Sequence, residues 1–260
     1  MKKIILSVCA LSAMFLTSCS NEVDMFETIG TPKGILHVDC IYDTEMTRAT
    51  QEAGENWIIK ADETTLHTGS NTILAGTYTV KASNYDNPAK ALEANDNWGD
   101  AFYSGSQSGV VVNKGDNANV TINCGKAQNA RLKTTFNLLS TFTNVKLVAD
   151  IDDSGASPTG RQLEFTTTTP KDKFAYFEAG TTIKCKLSYT FNSKEINKPF
   201  DFPLAGAATE NVINVKTNDN GTITINLSKI TYDNEFGTGS SNIITIDAVS
   251  GAEVPSSTGE

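Results

Sequence analysis

The chain has 260 residues, 39% of them hydrophobic and 20% charged. At ~150 residues per domain, that length suits one large or two small domains, and the apolar fraction excludes wholesale disorder. Acidic side chains number 30 against 21 basic ones, for a net charge of −9. A surface of that sign repels phosphate backbones, so nucleic acid is not an expected partner. Two histidines, His37 and His67, leave little for a zinc site or imidazole catalysis.

The N-terminus reads as an export signal. Lys2 and Lys3 precede a mostly apolar run from Ile4 to Leu16, shorter than the ~20 residues a membrane-spanning helix needs. Leu16-Thr17-Ser18-Cys19 looks like a bacterial lipobox. Its aliphatic residue and two small residues admit a peptidase, and the Cys sulfur takes diacylglycerol and becomes the new N-terminus. Residues 1–18 are expected as a lipoprotein signal peptide, Cys19 as the lipidation site and residues 19–33 as a tether. Loss of Lys2 and Lys3 leaves 19 basic against 30 acidic side chains, a net charge of −11. Acyl chains, at ~0.8 kcal/mol per buried methylene, hold such a protein on a membrane against that charge. Ser20 rather than Asp after the acylated Cys favours the outer membrane under the enterobacterial sorting rule. Cys9 lies in the leader, and Cys40, Cys124 and Cys185 remain. An odd number allows one bridge at most, and their apolar alternating surroundings favour buried free thiols.

Period-two alternation marks the elements that follow. Gly34 to Tyr42 reads as a strand, Asp43 to Glu55 as a polar loop, Trp57 to Ala61 as a short strand, and Leu74 to Ala82 as a turn entering a strand. Asn84 to Gly109 reads as a long loop with one helical turn near Ala89 to Ala94. Gly109 to Val112 and Val120 to Cys124 read as a hairpin turning at Lys114 to Asn117. A second strand series opens at Gln128 to Asn137 and continues through Val145 to Ile151, Gln162 to Thr168 and Phe174 to Phe177. Thr181 to Phe191 and Ile196 to Leu204 flank a tip at Asn192 to Glu195. Asn211 to Lys216 and Thr222 to Leu227 flank Asn218-Asp219-Asn220-Gly221, where an Asn-Gly pair suits a strand-matched turn. Ile243 to Ile246 is a last strand. Roughly a dozen strands with no long helix give an all-β chain of antiparallel β-sandwiches. The expected units are 34–126 and 127–250, with a frayed tail over 251–260.

Five runs in order carry a family resemblance: Ala75-Gly76-Thr77-Tyr78-Thr79-Val80-Lys81-Ala82, Tyr103-Ser104-Gly105-Ser106, Val120-Thr121-Ile122-Asn123-Cys124, Ala127-Gln128-Asn129-Ala130 and Ala175-Tyr176-Phe177-Glu178-Ala179-Gly180. Together they resemble the Bacteroidetes lipoprotein family catalogued as domain of unknown function 4493, over roughly residues 30 to 250. The resemblance implies a surface-associated lipoprotein, broadly similar to fimbrillin-like proteins, which pair two transthyretin-like sandwiches; the expected fold is two consecutive antiparallel sandwiches of transthyretin-like or Ig-like Greek-key type. It implies no established activity. Many relatives place Pro before the Tyr-Ser-Gly run, where this chain has Ala101-Phe102. In fimbrillin-like proteins a trypsin-like protease cuts after an Arg near the first strand, that strand leaves, and a partner's strand fills the groove. Arg48 is the matching candidate here, with Ile35 to Tyr42 as the strand replaced and Leu36, Val38, Cys40 and Tyr42 pointing inward; the competing reading puts Arg48 in a plain linker of a protein that stays a tethered monomer.

Two further patterns bear on chemistry. Asp150-Ile151-Asp152-Asp153-Ser154-Gly155 imitates half of a calcium loop, but the twelfth position is Arg161, which opposes a cation, so a turn is expected. Tyr85, Trp98, Phe102 and Tyr103 share a loop with Asp96, Asn97 and Asp100. Aromatic faces beside carboxylates suit sugar rings, so these four are the candidate glycan contacts, with Trp98 and Tyr103 expected to be partly exposed. The competing and favoured reading is that these rings close the open end of the sandwich. No zincin motif, nucleophile elbow or phosphate loop is present, and no acidic pair stands out among 30. The resulting expectation is a non-enzymatic, lipid-anchored surface protein of a Gram-negative bacterium, adhesin or fimbria-like. The alternative is a glycan-binding accessory lipoprotein of a polysaccharide-uptake system, and a hydrolase ranks third. The expected partners are the membrane, through the lipid, and glycans or other surface proteins; no cofactor or metal is expected.

Overall fold

The computed structural model describes residues 31–42, 57–150, 160–161, 163–204, 206–218, 222–231, 242–247 and 250–254. Cys19 and Arg48 lie outside them. The first part of the chain forms β1 (Lys33–Tyr42), β2 (Ile58–Ala61), β3 (Thr64–Leu66), β4 (Gly69–Leu74), β5 (Gly76–Ser83), a short helix α1 (Pro88–Glu93), β6 (Ser104–Val112) and β7 (Asn117–Gly125). There follow β8 (Ala130–Asn137), β9 (Phe142–Ala149), β10 (Leu163–Thr166), β11 (Ala175–Phe177), β12 (Thr182–Phe191), β13 (Lys194–Pro203), β14 (Thr209–Thr217), β15 (Thr222–Thr231) and β16 (Asn242–Asp247).

Strands β1 to β7 build two sheets, in the orders β4-β1-β7 and β3-β2-β5-β6. Strands β8 to β16 build two more, β11-β8-β14-β15-β16 and β10-β9-β12-β13. Each strand of the first lobe has its counterpart seven places later in the second. The polarity repeats as well: β1 runs antiparallel to β4 and parallel to β7, and β8 runs antiparallel to β11 and parallel to β14. One seven-stranded topology therefore occurs twice, and β15 and β16 extend the second copy. The fold is all-β, two sandwiches in succession, as expected.

Alternation sets which side chains fill each core. Leu36 and Val38 of β1 and Ile122 of β7 reach the first core, while Asp39, Thr121 and Asn123 face water. Ile183, Cys185, Leu187 and Tyr189 of β12 fill the second core. The β12–β13 hairpin closes with Asn192 and Ser193 both at positive φ (49° and 61°), the geometry that matches strand twist. The β14–β15 pairing also forms; its turn residues 219–221 lie outside the described residues.

The structure departs from the sequence reading at four places. The expected hairpin of Gly109–Val112 with Val120–Cys124 does not form. Strand β6 pairs with β5 and β7 with β1, so the intervening turn carries the chain from one sheet to the other. Strand β6 begins at Ser104, inside the expected loop. Strands β3 and β4, short and rich in Thr, Ser and Gly, pass below the alternation signal. Of the expected frayed tail, residues 251–253 make contacts: the chain at Gly251 lies against Ile196, Asp247 N–H donates to Ala252 O (2.9 Å), and Lys198 pairs with Glu253 (3.4 Å).

Candidate functional site

Strand β1 sits in the middle of its sheet and is hydrogen-bonded along both edges. Its register runs Lys33↔Leu74 to Val38↔Gly69 on one side and Ile35↔Asn117 to Tyr42↔Gly125 on the other. Leu36 and Val38 are fully buried, and Cys40 and Tyr42 pack half-buried on the same core. The Tyr42 ring lies 5.4 Å from Trp57 and 5.0 Å from Tyr103. The inward face is therefore the one the sequence points to. The outward face exposes Ile35 and Ile41 and carries His37, whose Nδ1 lies 3.2 Å from Ser70 Oγ.

The first core also brings two thiols together. Cys40 on β1 and Cys124 on β7 share this core, where the Cys124 thiol donates to Ala82 O (3.8 Å). Interaction with Cys124 holds the Cys40 thiol below its ordinary pKa, against opposing contributions from burial and Asp39. Interaction with Cys40, with burial behind it, pushes Cys124 up. Cys185 lies fully buried in the second core, where desolvation raises its pKa. All three are free thiols.

The aromatic cluster of Tyr85, Trp98, Phe102 and Tyr103 is divided by the fold. Phe102 and Tyr103 are buried at 5% and 1% exposure, which corrects the expectation that Tyr103 meets solvent. The cause is local: β6 starts at the next residue, so Tyr103 enters the first core with it. The Phe102 N–H donates to Asn129 Oδ1 (3.1 Å) and its carbonyl accepts from Gln128 N–H (2.8 Å). Tyr85 is half-buried and donates to Asp100 Oδ2 (2.9 Å); burial first, then the Asp100 charge, raises its pKa. Trp98 is half-buried, but its ring is occupied. It packs on the second core, edge-on to Phe165 at 5.0 Å, with the Lys173 ammonium 4.7 Å over its face.

The exchange between lobes is reciprocal. Trp98, from the first lobe, packs on the second core, and Tyr176 of β11 enters the first core together with Ala208. The presenting loop follows α1, whose N-cap Asn87 accepts from Lys90 N–H (3.0 Å). Asn95, Asp96 and Asn97 then take three successive left-handed conformations, which short polar side chains tolerate. Tyr176 N–H donates to Trp98 O (2.8 Å) across the junction. Arg161 gives its guanidinium to three backbone carbonyls, Asn97 (2.7 Å), Trp98 (3.3 Å) and Tyr176 (2.7 Å). Burial lowers its pKa and Asp150 opposes that shift. Gly99 has φ +81°, and a Cβ there would stand 2.9 Å from Tyr176 Cβ. Three of the runs behind the family resemblance, at Tyr103, Ala127 to Ala130 and Ala175 to Gly180, thus meet at this junction.

A buried ion cluster borders it. Arg131 Nε and Nη2 both donate to Glu210 Oε2 (3.1 and 2.7 Å), Lys133 pairs with Glu210 Oε1, and the Phe174 ring lies 4.1 Å from the Arg131 guanidinium carbon. Arg131 and Glu210 keep 4% and 3% of their side chains exposed. The sequence reading missed this set, because Arg131, Lys133 and Glu210 come together only through the parallel β8–β14 ladder. Among the described residues no three metal-ligating side chains gather, and no helix is long and apolar enough to cross a membrane.

Two solved structures illustrate the remote likenesses. A candidate cell adhesion protein from Bacteroides ovatus ATCC 8483 is 11% identical, with a TM-score of 0.42, over 76% of this chain and 96% of that one. A fimbrial assembly protein from Parabacteroides distasonis ATCC 8503 is 12% identical, with a TM-score of 0.42, over 81% of this chain and 98% of that one. No curated protein matches the chain. The model of one family, described as domain of unknown function (DUF4493), matches residues 30–254, and the chain belongs to that family.

Proposed function

We propose that the protein is a lipid-anchored, non-enzymatic component of the cell surface, of adhesin or fimbria-like type, and that its first strand is the exchangeable element. The observation behind this reading is the seat of β1. The first strand after the tether fills the middle of a three-stranded sheet. Lifting it leaves two facing edges, one antiparallel and one parallel, each with unpaired N–H and C=O groups. It also empties the pockets of Leu36 and Val38, each worth ~1.5–3 kcal/mol of burial. An incoming strand with apolar side chains at alternate positions recovers both contributions. The lipobox at Cys19 supplies the anchor and Arg48, on the far side of β1, the cut that separates the strand from the body.

The glycan-binding alternative finds less support. Of its four aromatic residues two are in the core, and the Trp98 face lies under Lys173.

Limited trypsin treatment of the purified protein tests strand exchange. The expected result is cleavage after Arg48, displacement of the β1 peptide by excess synthetic strand, and higher oligomers. A cleaved protein that stays monomeric and keeps its peptide refutes it.

A further inference from the structure

We infer that Cys40 and Cys124 form a disulfide in an oxidising compartment and that this bridge fastens β1 to β7. The two residues belong to neighbouring strands and face the same core. Cys40 stands opposite Ile122 in the parallel ladder. The register then breaks, with Ile41 opposite Asn123 and Tyr42 opposite Gly125, so Cys124 is the extra residue of a bulge at Ile41–Tyr42 and stands diagonal to Cys40. Such irregularities re-aim side chains. Cys40 and Cys124 are the two thiols of the first core, and Cys185 is sequestered in the second. Cys40 is half-buried and the more accessible of the two to a small disulfide, whereas Cys124 is 3% exposed. The lowered pKa of Cys40 suits it to attack first.

The chemistry is thiol–disulfide exchange with a glutathione-type disulfide or a disulfide-donating oxidoreductase. The Cys40 thiolate attacks one sulfur of the donor, forming a mixed disulfide and expelling one thiolate. Cys124 gives up its proton and attacks Cys40 Sγ, forming the Cys40–Cys124 bond and expelling the second thiolate. Two electrons and two protons pass from the pair to the donor, which leaves as two thiols.

The consequence rests on the strand-exchange reading: a bridged β1 stays seated even after Arg48 is cut, and a reduced one is free to leave. Redox state therefore gates assembly.

The test uses the mature protein in detergent, incubated with oxidised glutathione or with a reducing dithiol. Oxidation is expected to join the tryptic peptides Gly34–Arg48 and Gly115–Lys126. The bridge closes a loop of about 85 residues, so it should disfavour unfolding on the order of a thousandfold. Cys40→Ser and Cys124→Ser are expected to abolish both effects, and Cys185→Ser neither. A stable glutathione adduct on Cys40, a bridge to Cys185, or two separate peptides overturns the inference. After cleavage at Arg48, excess synthetic strand should displace the β1 peptide from the reduced protein alone. Equal displacement in both states refutes the fastening. Retention in both states refutes strand exchange, and the joined peptides still decide the bridge.

Discussion

Replacing Gly99 by Ala puts one methyl group where the two lobes touch. The residue has φ +81°, and the new Cβ would stand 2.9 Å from Tyr176 Cβ, closer than packed carbon atoms allow. The left-handed backbone costs ~1–2 kcal/mol for any side chain, and relieving the clash costs ~1–3 kcal/mol. The shift also loosens what crosses the junction, namely the Tyr176 N–H bond to Trp98 O and the Arg161 bonds. A loss of about 2–5 kcal/mol follows, or roughly 5–15 °C in Tm for a chain of this size. Gly109→Ala is the control: its φ is +73°, but a Cβ there has nothing within 4 Å, so it carries the backbone cost without the clash. Scanning calorimetry gives the total, and hydrogen exchange at the Tyr176 amide reports the junction itself. Gly99→Ala should lower Tm further than Gly109→Ala and speed exchange at Tyr176. Equal shifts for the two variants, with Tyr176 protection unchanged, would show that the lobes do not depend on this contact.

Four further outcomes are expected. Trp98→Ala should cost about 2–3 kcal/mol in urea unfolding, below the ~3–5 kcal/mol of a fully buried Trp, because the ring is half-buried; a change within 0.5 kcal/mol would mean that it is not a wedge. Glu210→Ala, which strands the buried Arg131, should cost ~3–5 kcal/mol, and an Arg131→Met, Glu210→Leu pair should recover most of it; if the pair is as unstable as the single variant, the ion pair is not the reason. Burial first, and the nearby Asp247 charge second, push the Tyr189 hydroxyl from 10.0 to about 12. The unfolded chain therefore ionises first, so this contribution is fully present below pH 10 and is lost as pH rises toward 12; ultraviolet phenolate titration beside urea melts checks it, and a normal titration refutes it. Finally, metabolic labelling with an alkyne fatty acid should mark the wild type and miss Cys19→Ala; equal labelling would remove the proposed anchor.

Side-chain alternation is a local property of extended backbone, and so the sequence alone determined most of the strands and which way they face, though not the short, polar β3 and β4. Leu36 and Val38 inward, the Ile183 to Tyr189 face of β12, and the Asn192-Ser193 turn were all legible, because each depends on near neighbours. Pairing across sheets is not local. The alternation of Val110, Val112, Val120 and Ile122 is the same whether β6 and β7 form a hairpin or stand in opposite sheets, and only the assembled sandwich separates them. The repeat of seven strands is likewise a repeat of topology, invisible to residue identity. Burial of Phe102 and Tyr103, the wedge of Trp98, the three carbonyls on Arg161 and the Cys40–Cys124 contact are decided by partners 15 to 84 positions away in the chain. Tertiary structure alone chose among the roles these side chains could play, because burial and ring contact depend on which surfaces the two lobes present to each other.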